Sequence, residues 1–246
     1  MSVLVCSSLA DHDDFSIVGY APEDLSCIDK LITLFESWMS KHGKSYQSFE
    51  EKLHRFELFK ENLKHIDETN KKVTSYWLGL NEFADMSHEE FKSKYLGLKG
   101  KYIVSSGGLH KEDDYPYLME EGTCEEKKEE TQVVTITGYE DVPKNDEASL
   151  IKALSQQPLS VAIEASGRDF QFYSGGVFNG NCGTELDHGV AAVGYGSLKG
   201  MDYIIVKNSW GPKWGEKGYI RMKRNTGKPE GLCGINSLAS YPTKNK

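Results

Sequence analysis

His188 and Asn208 are the two residues whose types and spacing first suggest chemistry. His188 lies in the stretch ELDHGVAAVGYG, at the start of an apolar run punctuated by glycines. Asn208 follows twenty residues later in KNSWGPKWG, two positions before Trp210. A histidine held by an asparagine is one way to activate a thiol. Taken singly, however, a buried strand histidine and a turn asparagine explain the two residues better, so the interpretation depends on where the thiol is.

Five cysteines could supply that thiol: Cys6, Cys27, Cys124, Cys182 and Cys233. An odd number leaves at least one thiol unpaired if the protein is secreted or vesicular. The sequence contains no Cys-x-x-Cys pair and no histidine and cysteine cluster with zinc spacing. We therefore predict no metal site.

The composition limits the class of protein. The chain has 246 residues, is 38% apolar and carries a formal net charge of −8. This composition suits one large globular domain or two small ones. Because there is no excess of basic residues to neutralise phosphates, we expect no nucleic-acid partner. No stretch approaches the ~18 apolar residues of a membrane-spanning helix, so we expect no membrane partner.

The first ten residues, MSVLVCSSLA, contain a short apolar patch but lack the basic residues that open a signal peptide. We interpret this N-terminal segment as the remnant of a signal or pre-region. A wrong start and a frayed cytosolic terminus are the alternatives.

Amphipathic periodicity predicts two helices near the N-terminus. The first covers residues 29–42 and ends at Gly43. The second runs from about Phe49 to Asn70, with Glu51 and Arg55 spaced as an i, i+4 ion pair. One face of it, an arc of roughly 100°, carries a stripe formed by Glu51, Arg55, Phe59, Asn62, Ile66 and Asn70. Taken separately, each helix is better explained as part of a plain helical hairpin.

A third helix and a β-rich half are predicted beyond this hairpin. The sequence from Tyr76 to Phe83 suggests a short strand, and Asp85 or Ser87 can cap the helix that follows. Farther on, DEASLIKALSQQ predicts a helix capped by Asp146 or Asn145. TQVVTITGYEDV and four later stretches predict short strands. The glycines between the later strands favour an antiparallel, barrel-like β unit.

Two groups of motifs together resemble the papain-like cysteine peptidases. The helix stripe, with Asn81, Phe83 and Asp85 in an N-x-F-x-D pattern, is similar to the propeptide signature of that family. The later stretches YPY, LDHG, VGYG, KNSWG and GYIRM are similar to the mature enzyme, in the same order. One propeptide pattern alone would be weak, but both groups in order are very specific. SIVGYAPEDL and DETNKK are similar to plant, xylem-type members.

The resemblance implies an α+β fold: a helical propeptide plus the β-barrel half of a papain-like fold, with most of the helical half missing. It divides the chain into residues 1–28, a remnant of the signal or pre-region; residues 29–98, an inhibitor propeptide; residues 99–110, a deletion junction; and residues 111–246, a partial, β-rich peptidase domain.

The resemblance also implies the roles of the site residues. His188 would be the base, Asn208 would orient its ring, Trp210 would shield their hydrogen bond from water, and Asp187 would support them. A protonated histidine lowers the pKa of a neighbouring thiol, so that the nucleophile is ionised. Cys182 and Cys233 match a disulfide of the family. No cofactor and no metal are implied.

The nucleophile of the family is missing from the sequence. It belongs in a CGSCW-like motif behind an oxyanion-binding glutamine, and no such string occurs. It should precede the histidine by ~130 residues or more, whereas only 90 positions separate Leu98 from His188. The stretch YLGLKGKYIVSSGGLHKEDDYPY looks like the join, where the end of a propeptide meets the end of the helical half. Cys182 is better explained by its disulfide, and Cys124 by a lost partner that leaves it as the odd thiol.

We therefore expect a papain-like cysteine endopeptidase precursor by family, monomeric, with protein or peptide substrates, whose own chain is catalytically dead. The family implies a vacuolar, lysosomal or extracellular location. Two alternatives stay open: a propeptide-type inhibitor of intact papain-like peptidases, and a non-functional splice product or gene model.

Overall fold

The structure, a computed structural model, describes residues 27–97, 111, 113 and 134–244. The predicted junction, the YPY motif, Cys6 and Cys124 lie outside these residues. We refer to residues 27–97 as the N-terminal segment and to residues 134–244 as the C-terminal half. The elements of the N-terminal segment are α1 (Ile28–His42), α2 (Phe49–Asn70), β1 (Tyr76–Leu78) and α3 (His88–Tyr95).

Local capping explains where these helices begin and end. Gly43 adopts a left-handed conformation, with φ of 67°, directly after α1. The Ser48 side chain accepts a hydrogen bond from the backbone of Glu51 at the start of α2. Of the two predicted caps for α3, the structure uses Ser87, which forms a capping box with Glu90.

The predicted strand from Tyr76 to Phe83 is too long. β1 ends at Leu78, because the chain then turns around the side chain of Asn81. Asn81 Oδ1 accepts from the backbone N–H of Phe83 at 3.1 Å. This turn starts the approach to α3.

Arg55 joins α2 to the start of α3 instead of pairing along its own helix. Its guanidinium donates to Glu90 Oε2 at 2.8 Å and to the carbonyl of Asp85 at 3.1 Å. Glu51 Oε2 accepts from the backbone N–H of Gln47. The predicted ion pair between Glu51 and Arg55 is therefore wrong.

Aromatic side chains hold α1 against α2. The ring centroid of Phe59 lies 5.1 Å from that of Phe35 and 5.3 Å from that of Trp38. The indole N–H of Trp38 donates to the carbonyl of Asn81 at 2.9 Å. The two predicted amphipathic faces thus pack on each other and on the turn that follows β1.

Together with a 3-10 turn at Leu232–Gly234, the C-terminal half contributes the remaining described α-helices and strands. In chain order these are β2 (Gly138–Asp141), α4 (Glu147–Leu154), β3 (Leu159–Ile163), α5 (Arg168–Gln171), β4 (Tyr173–Phe178), β5 (His188–Leu198), β6 (Met201–Lys207), β7 (Tyr219–Lys223) and β8 (Ala239–Thr243). Asp146, one of the two predicted caps, caps α4 through a bond from the Ser149 backbone N–H. The strand predicted over residues 131–142 is too long. Of the described residues in that range, 134–142, only Gly138–Asp141 form β2.

Among the described residues the strands form one sheet in the order β1-β4-β7-β6-β5-β3-β8-β2. Neighbouring strands are antiparallel, except that β4 and β7 are parallel. The four later stretches predicted as strands, β3, β5, β6 and β7, are joined by antiparallel pairs, as expected, whereas β4 was not among the predicted strands. A disulfide between Cys182 and Cys233 closes a loop with a sequence separation of 51 residues, a constraint on the unfolded chain of roughly 4 kcal/mol.

The N-terminal segment and the C-terminal half share this sheet. β1 pairs with β4 through the register Tyr76 with Gly176 and Trp77 with Gly175. Any Cβ atom at position 175 would collide with the Trp77 ring, and one at position 176 would collide with the backbone of Ser75. Gly176 also has a φ of 90°. Glycine is therefore required for the close approach of these two strands.

Replacing Gly176 by alanine is expected to destabilise the protein more than left-handed strain alone would. Gly227 is a matched control, because its φ is 76° and a Cβ atom there would meet nothing within 4 Å. Gly227→Ala should cost about 1 kcal/mol, and Gly176→Ala about 2 kcal/mol more, because the new methyl group meets backbone. Denaturant unfolding of both variants measures the difference, and equal losses would contradict the close docking of β1.

Candidate active site

Two neighbouring strands position the histidine and the asparagine. His188 is the first residue of β5, and Asn208 directly follows β6. The strands pair antiparallel, with an irregularity between Ala192 and Gly194, and the ring Nε2 of His188 lies 2.8 Å from Asn208 Oδ1. The Asn208 backbone N–H donates to the carbonyl of Gly218 at 2.9 Å. The structure thus brings this predicted pair into direct contact.

The hydrogen bonds around Asn208 define the protonation of the histidine ring. The backbone N–H of Ser209 donates to the same Oδ1 at 2.7 Å, so this atom is the carbonyl oxygen of the amide. An acceptor facing Nε2 requires a hydrogen on that nitrogen. In neutral His188 this leaves Nδ1 as the basic nitrogen, the one available to take a proton from a nucleophile.

Burial and stacking set the environment of the ring. His188 and Asn208 are both buried, and the Trp210 ring stacks on His188 with centroids 5.0 Å apart and an interplanar angle of 25°. Burial lowers the pKa of His188, which the hydrogen bond to Asn208 and the charge of Asp187 offset only in part. The ring is therefore held in its neutral form more readily than a solvent-exposed histidine.

Asp187 is anchored by the neighbouring strand. Its Oδ1 accepts from the backbone N–H of Ala165 at 2.8 Å, and its own N–H donates to the carbonyl of Ile163. These bonds fix the carboxylate of the residue that directly precedes His188. The contribution of Asp187 is electrostatic, because its negative charge favours protonated His188.

The N-terminal segment covers this pair. Gly97 forms a parallel β-bridge with His188. The Trp210 indole N–H donates to the carbonyl of Tyr95 at 3.3 Å, and its ring meets those of Phe83 and Phe91 edge-on, with centroids 5.8 and 5.0 Å away. The end of the N-terminal segment therefore lies directly on the candidate site.

Asparagines of the predicted propeptide motif make hydrogen bonds that connect separate elements of the fold. Asn62 Nδ2 donates to the carbonyls of Ala84 and Met86, while its Oδ1 accepts from Arg168 of α5 at 2.8 Å. Asn70 pairs with both the N–H and the carbonyl of Leu78. These two residues tie α2 to β1, to the turn before α3 and to the C-terminal half.

The other motif residues complete the packing. Phe59, Ile66 and Phe83 are fully buried. Asp85 accepts hydrogen bonds from Lys44 Nζ and the Tyr46 hydroxyl, at 3.0 and 2.9 Å. The residues of the propeptide motif described here are therefore either buried in the core or hydrogen-bonded to other elements of the fold.

Asn81 connects the N-terminal segment to α5. Its Nδ2 donates to the carbonyl of Gln171 at 2.8 Å. The same carbonyl accepts from the indole N–H of Trp214 at 3.1 Å.

Sequence reasoning missed the role of α5. Asp169 Oδ1 lies 2.9 Å from His65 Nε2, and its Oδ2 accepts from the Tyr76 hydroxyl at 2.8 Å. Burial alone would raise the pKa of Asp169, but the bonds from His65 and Tyr76 outweigh it and hold the pKa below its usual value. A four-residue helix offers no periodicity, so only its polar composition could have drawn attention to it.

The described residues contain no free thiol beside the histidine. Cys182 and Cys233 are bonded to each other, and Cys27 is also in a disulfide. Across residues 27–97 and 134–244, no group of three histidine, cysteine or acidic side chains is arranged to hold a metal ion. No described helix is long and apolar enough to cross a membrane.

Replacing Asn208 by alanine is expected to lower the pKa of His188 below its already depressed value. The hydrogen bond to Asn208 favours protonated His188, so its loss leaves burial opposed only by Asp187. Titration of the His188 ring by NMR measures the change. Asn225→Ala, at a surface asparagine bonded to Asp202, should leave the value unaltered. A His188 pKa that is the same in both variants would contradict the proposed contact.

Comparisons with known proteins agree with this arrangement. Residues 97–243 match the model for the papain family cysteine proteases, and residues 35–91 match the cathepsin propeptide inhibitor domain (I29). A ragweed pollen cysteine protease, Amb a 11, crystallised in its proform, superposes with a TM-score of 0.81 at 29% identity, covering 92% of this chain and 98% of that one. The recombinant stem bromelain precursor gives 0.81 at 32% identity, covering 88% and 99%. The expected α+β, papain-like fold is confirmed.

Curated relatives are longer than this chain. Cysteine protease XCP2 of Arabidopsis thaliana is 53% identical over 333 aligned positions, covering 97% of this chain and 94% of the relative. Chymopapain of Carica papaya is 39% identical, covering 94% and 92%. Because the chain has 246 residues, at least 87 of the 333 positions in the first alignment (333 minus 246) face no residue of this chain. The chain therefore belongs to the papain family of cysteine proteases, carries the I29 propeptide domain, and is truncated relative to these members.

Proposed function

We propose that this chain is a papain-family precursor that has kept its base and the orienting amide but lost its nucleophile, so that it does not hydrolyse peptide bonds. The observation that supports this most directly is the spacing of the sequence. Only 90 positions separate Leu98 from His188, and at least 87 aligned positions of a 53% identical relative are missing. No CGSCW-like string occurs anywhere in the chain.

The chemistry of the family explains why this loss would be decisive. A thiolate must attack the peptide carbonyl to form an acyl-enzyme, and a histidine with its asparagine supplies only the proton transfer. Loss of the nucleophile in a comparable triad costs about 10⁶ in kcat. Loss of one oxyanion donor costs about 10² or more in other enzymes. The two losses together leave no meaningful route to proteolysis.

The two cysteines weighed as substitutes for the nucleophile, Cys182 and Cys124, are poorly suited to that role. Cys182 is in a disulfide in the structure. Cys124 lies outside the described residues, and its sequence neighbours, CEEKKEE, are rich in glutamates, which raise the pKa of a thiol. On these two grounds we expect neither cysteine to supply an ionised sulfur to His188.

We propose, on the same basis, that the chain consists of four regions. These are residues 1–28, a remnant of the signal or pre-region; 29–98, the propeptide; 99–110, the deletion junction; and 111–246, the partial peptidase domain. Intact relatives would act on proteins and peptides. A vacuolar, lysosomal or extracellular location and a monomeric chain are further parts of this proposal, drawn from the family.

A thiol-directed active-site probe is expected not to label the purified full chain in a way that requires His188. The chain is likewise expected to show no His188-dependent cleavage of a fluorogenic peptide. The wild type and His188→Ala should give the same background, while papain labels and cleaves in parallel assays. Turnover that disappears both in His188→Ala and in one cysteine-to-serine variant would overturn the proposal.

A second candidate function rests on the completeness of the N-terminal segment. It keeps the hydrogen bonds of Asn62, Asn70 and Asn81 and the docking strand β1. The I29 model is that of a propeptide inhibitor domain. Such a segment could inhibit an intact relative in trans, provided that it leaves its own C-terminal half, where Asp169 and Arg168 hold it.

Slow inhibition of papain by the full chain at micromolar concentration is the expected result of that second function. Asp169→Ala changes only the C-terminal half, and it removes a charged acceptor of two hydrogen bonds to the segment. Because hydrogen bonds to charged groups contribute about 1.5–3 kcal/mol, we expect the onset to be faster by roughly tenfold or more. Lys152→Ala, on the exposed face of α4, is the control. Absence of inhibition by both the wild type and Asp169→Ala would rule the function out.

The third reading, a non-functional splice product or gene model, has a direct test. Sequencing the transcript across codons 98 to 103 establishes whether the join exists in the messenger RNA. A transcript with the missing codons restored would replace the proposed inactive chain by an intact precursor.

A further inference from the structure

A chemically labile pair of residues lies on the seam between the N-terminal segment and the C-terminal half. Asn179 and Gly180 directly follow β4, and they are the only asparagine and glycine that occur in this order in the sequence. In such a pair the backbone nitrogen of the glycine can attack the asparagine side chain, because glycine has no side chain to shield that nitrogen. Every other asparagine of the chain is followed by a residue with a side chain.

The surroundings of the pair leave the reacting groups free. Asn179 is exposed, and its Oδ1 accepts a hydrogen bond from the hydroxyl of Ser75 at 2.8 Å. Neither Asn179 Nδ2 nor the Gly180 N–H has a hydrogen-bond partner among the described residues. A donor to Oδ1 stabilises the negative charge that develops on this oxygen when the amide carbon is attacked. The unbonded Nδ2 is the group that must leave.

The packing of β1 against the end of β4 requires glycine at position 180. A Cβ atom there would lie 2.8 Å from Cζ of Phe178 and 2.9 Å from the hydroxyl oxygen of Tyr76. Both of these side chains are buried, and their rings meet edge-on with centroids 4.9 Å apart. A less reactive residue therefore cannot replace Gly180 without disturbing the seam.

We propose that Asn179 deamidates spontaneously through a succinimide, and that the isoaspartate formed loosens the N-terminal segment. The Gly180 nitrogen forms a bond with Cγ of Asn179, and the side-chain amide leaves as ammonia together with the proton of the Gly180 N–H. Water then opens the ring at either carbonyl and gives aspartate or isoaspartate. The reaction consumes water and releases ammonia, so it needs no oxidant or cofactor. The proposal does not depend on whether the chain is a peptidase.

Isoaspartate at position 179 would disturb the contact of β1 with β4. Ser75, the residue before β1, makes two bonds to this region: its hydroxyl donates to Asn179, and its carbonyl accepts from the Val177 N–H at 2.6 Å. Isoaspartate adds a carbon to the backbone next to Gly180, where Tyr76 and Phe178 leave little space. The oxygen that Ser75 binds then belongs to the main chain, so this bond cannot keep its present geometry.

The test compares freshly prepared and aged full-length chain. After incubation at about pH 8, we expect mass spectrometry to locate a gain of about 1 Da at Asn179, since an amide becomes a carboxyl group. Methylation by isoaspartyl methyltransferase distinguishes isoaspartate from aspartate. The reaction should be slower at about pH 6, because the nucleophile is the deprotonated nitrogen.

Asn225 is the internal control, because it is also exposed but precedes Thr226. Its mass should not change over the same time. No gain at Asn179, or an equal gain at Asn225, would overturn the proposal.

Variants separate the longer backbone from the new charge. Aged wild type is expected to melt roughly 2–6 °C below fresh protein, and exchange of the Val177 N–H should be faster by up to about tenfold. Asn179→Asp carries the charge without the added carbon, so it should melt closer to fresh wild type. Asn179→Gln would have to close a larger ring, so its melting temperature should not fall on ageing. Equal losses in aged wild type and aged Asn179→Gln, or an unchanged melting temperature once isoaspartate has formed, would refute the loosening.

Discussion

The arrangement of the molecule depends on the backbone pairing of β1 with β4. These strands come from different sides of the seam, and Gly175 and Gly176 allow them to approach closely because neither has a side chain to obstruct Trp77 or Ser75. Once they are paired, the turn at Asn81 falls on α5. Its amide and the Trp214 indole N–H then share one carbonyl oxygen. Packing of α3 over Trp210 follows from the same docking.

Residues that resemble a catalytic apparatus are also structural in this chain. The Asn208 side chain accepts a hydrogen bond from the backbone N–H of Ser209, and Trp210 belongs to the aromatic core formed with the N-terminal segment. Removing them would open a cavity or leave buried polar groups unpaired. The persistence of a histidine and asparagine pair is therefore compatible with the loss of the nucleophile that we propose.

The sequence predicted local features better than contacts between distant residues. Periodicity located α1 and α2 because each helix buries one face. For α3 and α4, where two candidate N-caps were considered, one of the two is the residue that caps the helix in the structure. It could not show that Asp85 is taken by Lys44 and Tyr46, or that Arg55 reaches Glu90, since these contacts depend on the tertiary fold. The contact of His188 with Asn208 was expected from motifs of the family, because the irregular register between β5 and β6 is not readable from the residues.

The β-bridge between Gly97 and His188 means that any molecule binding at His188 must compete with the N-terminal segment of the same chain. The N-terminal segment and the C-terminal half belong to one chain, and the last described residue of that segment, Gly97, pairs with His188 itself. Because both surfaces belong to one molecule, their association is intramolecular, and its strength is set by an effective local concentration and not by the concentration of the protein in solution. Any separate molecule that binds the same surface must therefore compete with a segment that is always present at that local concentration.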